Sequence, residues 1–245
     1  MIKMTNYRRL PLKKLNNCRE LGGFVTPDGY TKYGVFLRSE LPFDLPGEDI
    51  EALKDYGVRA CLDFRGQEEL DRIENTLKTQ DFIDYRSLPM FEVHVAPKNS
   101  KPQDFDISKF SWHKTYVNML ETYKDWTYRI LNAAAETEGV TLYNCTTGKD
   151  RTGLCTMLLL SIAGVDKADI VADYCVSMVY MKMVYPTIDF GGELPDPFMR
   201  TPAEGMGDTI DYLEEKYGSV MEYIKSCGVD EKTVARIREK LVERE

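Results

Sequence analysis

Histidine is almost missing from this sequence: His94 and His113 are the only two in 245 residues. That scarcity removes the commonest metal ligand and the commonest neutral-pH base, so a structural zinc site is not expected. The six cysteines (18, 61, 145, 155, 175 and 227) include no Cys-x-x-Cys pair. A thiol oxidoreductase with a resolving cysteine is therefore set aside, and a disulfide framework does not suit a chain of this length. No metal and no organic cofactor is required. Long apolar runs are also lacking. Leu154 to Val165, after Cys145, is too short and too interrupted to span a bilayer. The first ten residues carry positive charge with no apolar segment behind them, unlike a secretory signal. The expectation is a cytoplasmic protein with free thiols and no stable membrane insertion. Positive charge is in deficit too: 32 Lys and Arg against 40 Asp and Glu give a net charge of -8. A general nucleic-acid binder would be basic. An anionic substrate stays possible, because a local arginine cluster dominates within a Debye length of about 10 Å.

What is present is the composition of a globular domain, 43% hydrophobic and 29% charged. There is no repeat and no low-complexity tract. Thr26-Pro-Asp-Gly29 is turn chemistry, and Tyr33–Arg38 after it reads as a strand. Pro46–Tyr56 reads as a helix stopped by Gly57, and Val58–Asp63 as a buried strand. Phe82–Leu88 is extended, and Lys98–Asp106 is a loop. Trp112–Glu138 is a long helical stretch broken once, closed by Gly139. Val140–Asn144 is a short strand running straight into Cys145. Helices are expected over Thr152–Ala163 and Asp166–Met183, a loop over Tyr185–Gly207, and helices over Asp208–Cys227, with a break at Gly218, and Glu231–Glu245. Strands alternating with helices predict an α/β fold. One domain over 1–245 is expected, divided into a strand-and-turn segment (1–57), a core (about 58–185) and a C-terminal helical appendage (about 206–245).

The chemistry concentrates in Leu142-Tyr-Asn-Cys-Thr-Thr-Gly-Lys-Asp-Arg-Thr-Gly153. A strand leads in, a helix leads out, and five residues separate Cys145 from Arg151. That spacing lets the backbone curl into a bowl whose N–H groups form a nest for a tetrahedral anion, with a helix N-terminus facing it. Arg151 can grip two phosphate oxygens with its planar fork. Gly148 supplies a backbone shape that side chains resist. A cysteine reacts as its thiolate. Lowering a thiol's pKa by about three units takes about 4 kcal/mol. A helix terminus supplies only about 0.3–1 kcal/mol. The N–H groups of Thr146, Thr147 and Gly148, with Lys149 and Arg151, must supply the rest, and the Thr152 hydroxyl is placed to bond the sulfur. Gly148-Lys149 also looks like the end of a nucleotide-binding P-loop. Tyr143 stands where that loop needs glycine, however, and Asp150 where it needs Ser or Thr.

At these residues the sequence resembles the cysteine-dependent protein tyrosine phosphatase superfamily. It is most similar to the bacterial atypical tyrosine/serine phosphatases, whose loop reads Cys-x-x-Gly-Lys-Asp-Arg-Thr-Gly. Asn17-Cys-Arg-Glu-Leu-Gly-Gly23, Phe36-Leu-Arg-Ser-Glu40, Leu62-Asp-Phe-Arg65 and Tyr217-Gly-Ser-Val220 resemble further segments of that family, in order along nearly the whole chain. Asn144 is a departure, since histidine usually precedes the nucleophile. The resemblance implies a phosphatase-like fold, with a mostly parallel central sheet flanked by helices and extra C-terminal helices. It also implies metal-independent hydrolysis through a phosphocysteine, on phosphotyrosine and also phosphoserine or phosphothreonine in proteins. Phosphoinositide is an alternative substrate, and a catalytically silent phosphate-binding module an alternative function. The proton donor is open between Asp150, slightly favoured, and Asp63, which can equally orient Arg151 or Arg65. Arg65 is a candidate for the pocket, while Arg19 and Arg38 read better as buried ion pairs. Tyr174–Tyr185, rich in Met and Tyr, reads as core or as a wall over the pocket.

Overall fold

The computed structural model describes residues 8–91, 110–187 and 200–244. Lys98–Asp106 and His94 lie outside the described residues. The sheet is built on the two most apolar extended runs of the chain. Val58–Asp63 (β5) and Val140–Asn144 (β7) bury almost every side chain, as strands covered on both faces must. Before them come Arg19–Glu20 (β1), Val25–Thr26 (β2), Gly29–Thr31 (β3) and Phe36–Ser39 (β4), with Gly47–Tyr56 (α1) between β4 and β5. After β5 come Gln67–Arg72 (α2) and Asp84–Ser87 (β6). The main sheet runs β1-β4-β7-β5-β6, with β4, β7, β5 and β6 mutually parallel and β1 antiparallel on the edge. Ser39 and Asp63 both pair with Asn144, so the parallel strands end together, directly before Cys145. Ligand sites of parallel sheets form at that edge.

The helical stretch after the sheet's first half breaks once, at Tyr123, giving Trp112–Thr122 (α3) and Lys124–Glu136 (α4). The helix after the loop, Asp150–Ala163 (α5), buries nearly all its residues, because it is apolar on every side and other helices surround it. Lys167–Val184 (α6), Ala203–Tyr217 (α7), Val220–Ser226 (α8) and Glu231–Leu241 (α9) follow, and Val242–Arg244 (β8) closes the described chain.

Three sequence expectations change. The final helix stops at Leu241, and β8 pairs with β3, joining the Val25–Thr31 hairpin in a second sheet ordered β2-β3-β8. α7 begins at Ala203 rather than Asp208. Gly205 and Gly207, expected in a loop, lie within the helix, and Gly205 is a packing position where a Cβ would lie 2.8 Å from the Trp112 Cβ. The C-terminal helices are also more than an appendage. Met206, Ile210, Leu213, Tyr223, Ile224 and Ile237 belong to the same buried cluster as Tyr143 and Leu154.

Candidate active site

β7 ends at Asn144 and α5 begins at Asp150, so Asp150 and Arg151 occupy its first turn, earlier than the expected start at Thr152. The loop between them is held from outside by its carbonyls. The Leu41 amide donates to the Thr146 carbonyl at 3.1 Å. Asn17 Nδ2 donates to the carbonyls of Thr147 and Gly148 at 3.2 and 3.3 Å. Arg38 Nη2 reaches the Gly148 carbonyl at 2.8 Å. In a planar trans peptide the next residue's N–H points opposite the carbonyl. Tying these carbonyls outward therefore turns the amides of Thr147, Gly148 and Lys149 to the other side, as a nest requires. Gly148 has φ +70°, and a Cβ there would lie 2.5 Å from the Glu40 nitrogen and 2.6 Å from the Ser39 carbonyl. No other residue fits without moving β4's end.

The struts are themselves fixed. Arg19 Nη1 donates to Asn17 Oδ1 at 2.5 Å, and the buried Glu40 carboxylate accepts the Asn17 amide. Arg19 and Arg38 converge on Asp173 of α6 at 2.9 and 2.6 Å, and Arg8 joins them at 2.9 Å. Burial works against the Asp173 charge, but Arg19 and Arg38 outweigh it and hold its carboxyl well below the usual range. Three guanidiniums against the carboxylates of Asp173 and Glu40 still leave positive charge behind the loop, which favours an anion in it.

Arg151 lies at the other end of the bowl. Its Nη1 and Nη2 donate to Glu69 at 2.6 and 2.7 Å, and Nη1 also to the Phe64 carbonyl at 3.2 Å. Glu69 further accepts from the Thr146 hydroxyl and from the Gly66 amide at 3.1 Å. Burial alone would raise the Glu69 pKa, yet Arg151 brings it down to about 2. Cys145 lies 2% exposed at the end of β7. In the first turn of α5, Asp150 Oδ1 accepts from Tyr116 at 2.5 Å and lies 3.5 Å from Lys149 Nζ. Lys149 is buried, with its ammonium 3.7 Å from the Trp112 ring centre and donating to the Arg200 carbonyl at 3.1 Å.

Residues 10–243 match the model of a tyrosine phosphatase family. The chain belongs to that family. A tyrosine-protein phosphatase of Nostoc commune is 30% identical over 224 residues, covering 84% of this chain and 74% of that protein. The triple specificity protein phosphatase PtpB of Mycobacterium tuberculosis is 30% identical over 115 residues, covering 40% of this chain and 42% of its own. The crystal structure of P. aeruginosa TpbA aligns with 86% of this chain and 88% of its own, at TM-score 0.33 and 17% identity, a likeness too slight to add to the assignment.

In this phosphatase Asp63 and Arg65 are not at the bowl. Asp63 is fully buried and accepts from Arg65, from Asn75 at 2.9 Å and from Tyr85 at 3.0 Å. Arg65 Nη1 in turn donates to the Ile73 carbonyl at 2.8 Å. The pair thereby braces α2, and α2 carries Glu69. An aspartate so enclosed has no route to a leaving group. Asn144, in the place usual for histidine, donates to the Cys145 carbonyl at 3.2 Å and accepts from Asn75 at 3.3 Å. It shares a network with Cys61 and, through Asn75, with the Asp63 carboxylate. The Thr152 hydroxyl is buried and has no hydrogen-bond partner among the described residues. The Tyr174–Tyr185 stretch is divided. Tyr174, Met181 and Val184 are buried, while Met178, Val179 and Met183 are exposed. Glu69, Asp173 and Tyr116 escaped the sequence reading. Asn17 stands out in the sequence only as part of the family's opening segment. Among the described residues no group of three potential ligands is placed to hold a metal.

Proposed function

We propose that the phosphatase removes phosphate from phosphotyrosine in proteins, through a phosphocysteine on Cys145. The observation that carries the reading is the loop held by its carbonyls from outside, with Cys145 at its start and Arg151 clamped at its end. In the first step the Cys145 thiolate attacks phosphorus. The S–P bond forms as the ester P–O bond breaks, and Asp150 gives its proton to the departing phenolate. Arg151 and the loop amides hold the equatorial oxygens as charge redistributes. Water then attacks phosphorus and breaks the S–P bond, leaving its proton on Asp150 and releasing inorganic phosphate. Neither step calls on a metal or a cofactor.

Phosphotyrosine is favoured over phosphoinositide by Lys149. With its ammonium stacked on Trp112 and the side chain 1% exposed, it offers no open cation for a second phosphate. The cytoplasm is the proposed location, supported by six cysteines of which none is paired. The test is phosphate release from phosphotyrosine, phosphoserine and phosphothreonine peptides and from phosphoinositides, with EDTA present, by the native protein and by Cys145→Ser. Turnover of the phosphotyrosine peptide that survives EDTA and disappears in the variant is expected. Oxyanion binding without turnover on any substrate would overturn the proposal in favour of a phosphate-binding module.

A further inference from the structure

The arrangement behind Asp150 has a direction that the general reaction does not dictate. Tyr116 and Tyr174, from α3 and α6, are buried, at 0% and 1% exposure. Their hydroxyls are 2.7 Å apart, and the Tyr116 hydroxyl is also 2.5 Å from Asp150 Oδ1. A phenol has one proton to donate. An ionised carboxylate only accepts, so in that state Tyr116 gives its proton to Asp150 and Tyr174 gives its own to Tyr116; in the acid form the Lys149 ammonium facing Oδ1 keeps that oxygen the acceptor and the same direction holds. Burial keeps both phenols neutral, and so permanent donors, across the working pH range. The Lys149 ammonium approaches the same oxygen, Oδ1. A carboxyl oxygen accepting from two donors is the poorer place for a proton, and the acidic proton belongs on Oδ2.

We propose that Tyr116, backed by Tyr174, is a positioning residue that assigns the Asp150 proton to Oδ2 and fixes the direction in which it is delivered. This rests on Asp150 being the proton donor. Without the Tyr116 hydroxyl, the carboxyl can rotate and place its proton on either oxygen. The chemistry most affected is expulsion of a poor leaving group. A dinitrophenolate leaves without help and is indifferent to where the proton sits.

The test is kcat/KM, which reports formation of the phosphoenzyme, for aryl phosphates graded from dinitrophenyl to phenyl phosphate. General acids are commonly worth about 10²–10⁴-fold, and misdirection forfeits a part of that. Tyr116→Phe is expected to lose about tenfold on phenyl phosphate and less than about twofold on dinitrophenyl phosphate. Added to Asp150→Asn, it is expected to cost nothing more. Tyr174→Phe, which leaves the Tyr116–Asp150 bond in place, serves as a second variant should Tyr116→Phe fold poorly. It is expected to give a smaller loss of the same pattern. Equal losses on all esters in both tyrosine variants would reduce the pair to scaffold and overturn the proposal. Unchanged kinetics in Tyr116→Phe, with Asp150→Asn slow only on phenyl phosphate, would overturn it while leaving Asp150 as the acid. An unchanged leaving-group dependence in Asp150→Asn would remove Asp150 as the acid and this proposal with it.

Discussion

Glu69→Gln isolates the clamp on Arg151, because it keeps the shape of the side chain and removes only its charge. The Glu69 carboxylate accepts both terminal nitrogens of Arg151 and is 11% exposed. Its folded pKa of about 2 lies below the ordinary 4.5. At about 1.4 kcal/mol per pH unit, that depression is worth about 3–4 kcal/mol. The sign follows from the depression. The stabilisation is complete above about pH 4.5 and is lost as pH falls toward 2, where the native carboxyl itself takes up a proton. Glu69→Gln should therefore lose about 3 kcal/mol at pH 7, in keeping with removal of one partner of a buried pair. By pH 3 the gap should shrink to less than half. Urea denaturation of both proteins followed by circular dichroism at the two pH values measures it. The catalytic side is read by kcat on an aryl phosphate at neutral pH, expected to fall about tenfold as the Arg151 fork loses its orientation. Losing a nearby negative charge pulls KM the other way, so kcat is the cleaner readout. A gap that is equal at pH 7 and pH 3 would refute the reasoning, as would one below 1 kcal/mol at pH 7.

Gly148→Ala meets both a positive φ and the β4 backbone. It should cost at least about 2 kcal/mol of stability and more than 100-fold in kcat/KM, read by thermal melting and by aryl phosphate turnover. Asp63→Asn should destabilise the fold by about 3 kcal/mol or more by leaving Arg65 without its buried charge partner, measured in urea. Its remaining activity should show no altered leaving-group dependence. Glu20 is pushed up to about 7 by burial, and its Oε2 has no partner among the described residues. A raised pKa gives stability that is full below about pH 4.5 and lost as pH rises through 7. Melting temperature should therefore fall between pH 5.5 and 8 in the native protein, and fall less in Glu20→Gln.

The elements legible in the sequence are those whose signals are local. The apolar run of β5 between Gly57 and the Leu62-Asp-Phe-Arg65 segment, the β7–loop–α5 passage and the Trp112–Glu138 stretch closed by Gly139 all announce themselves through periodicity and a flanking glycine. α2 does not. Gln67–Arg72 has six residues and buries none, so it has no apolar stripe to read. Glu69 rides on it and acquires meaning only by meeting a residue 82 positions later. β8 is a strand because β3 lies beside it, a fact of long-range pairing that follows a good helical pattern without interruption. Glycines mislead where packing rather than turning requires them, as at Gly205 against Trp112. The choice between Asp150 and Asp63 was not decidable from sequence. Asp63 ends β5 and Asp150 follows the neighbouring β7, and only the partners of each, an enclosing Arg65 or a half-open first turn of α5, separate them.

The loop's outer carbonyls are tied by residues far away in the chain. Asn17 stands 130 positions from Thr147, and Arg38 and Arg19 stand 135 and 154 positions from the Asp173 that anchors them. Contacts of such separation close late in folding, after shorter loops have formed. On the proposed mechanism, an incompletely folded chain thus holds Cys145 but not the cradle that would make its sulfur a phosphatase nucleophile. Turnover becomes a property of the finished molecule alone. A partly folded chain, or one loosened at either strut, falls silent instead of hydrolysing phosphate esters indiscriminately.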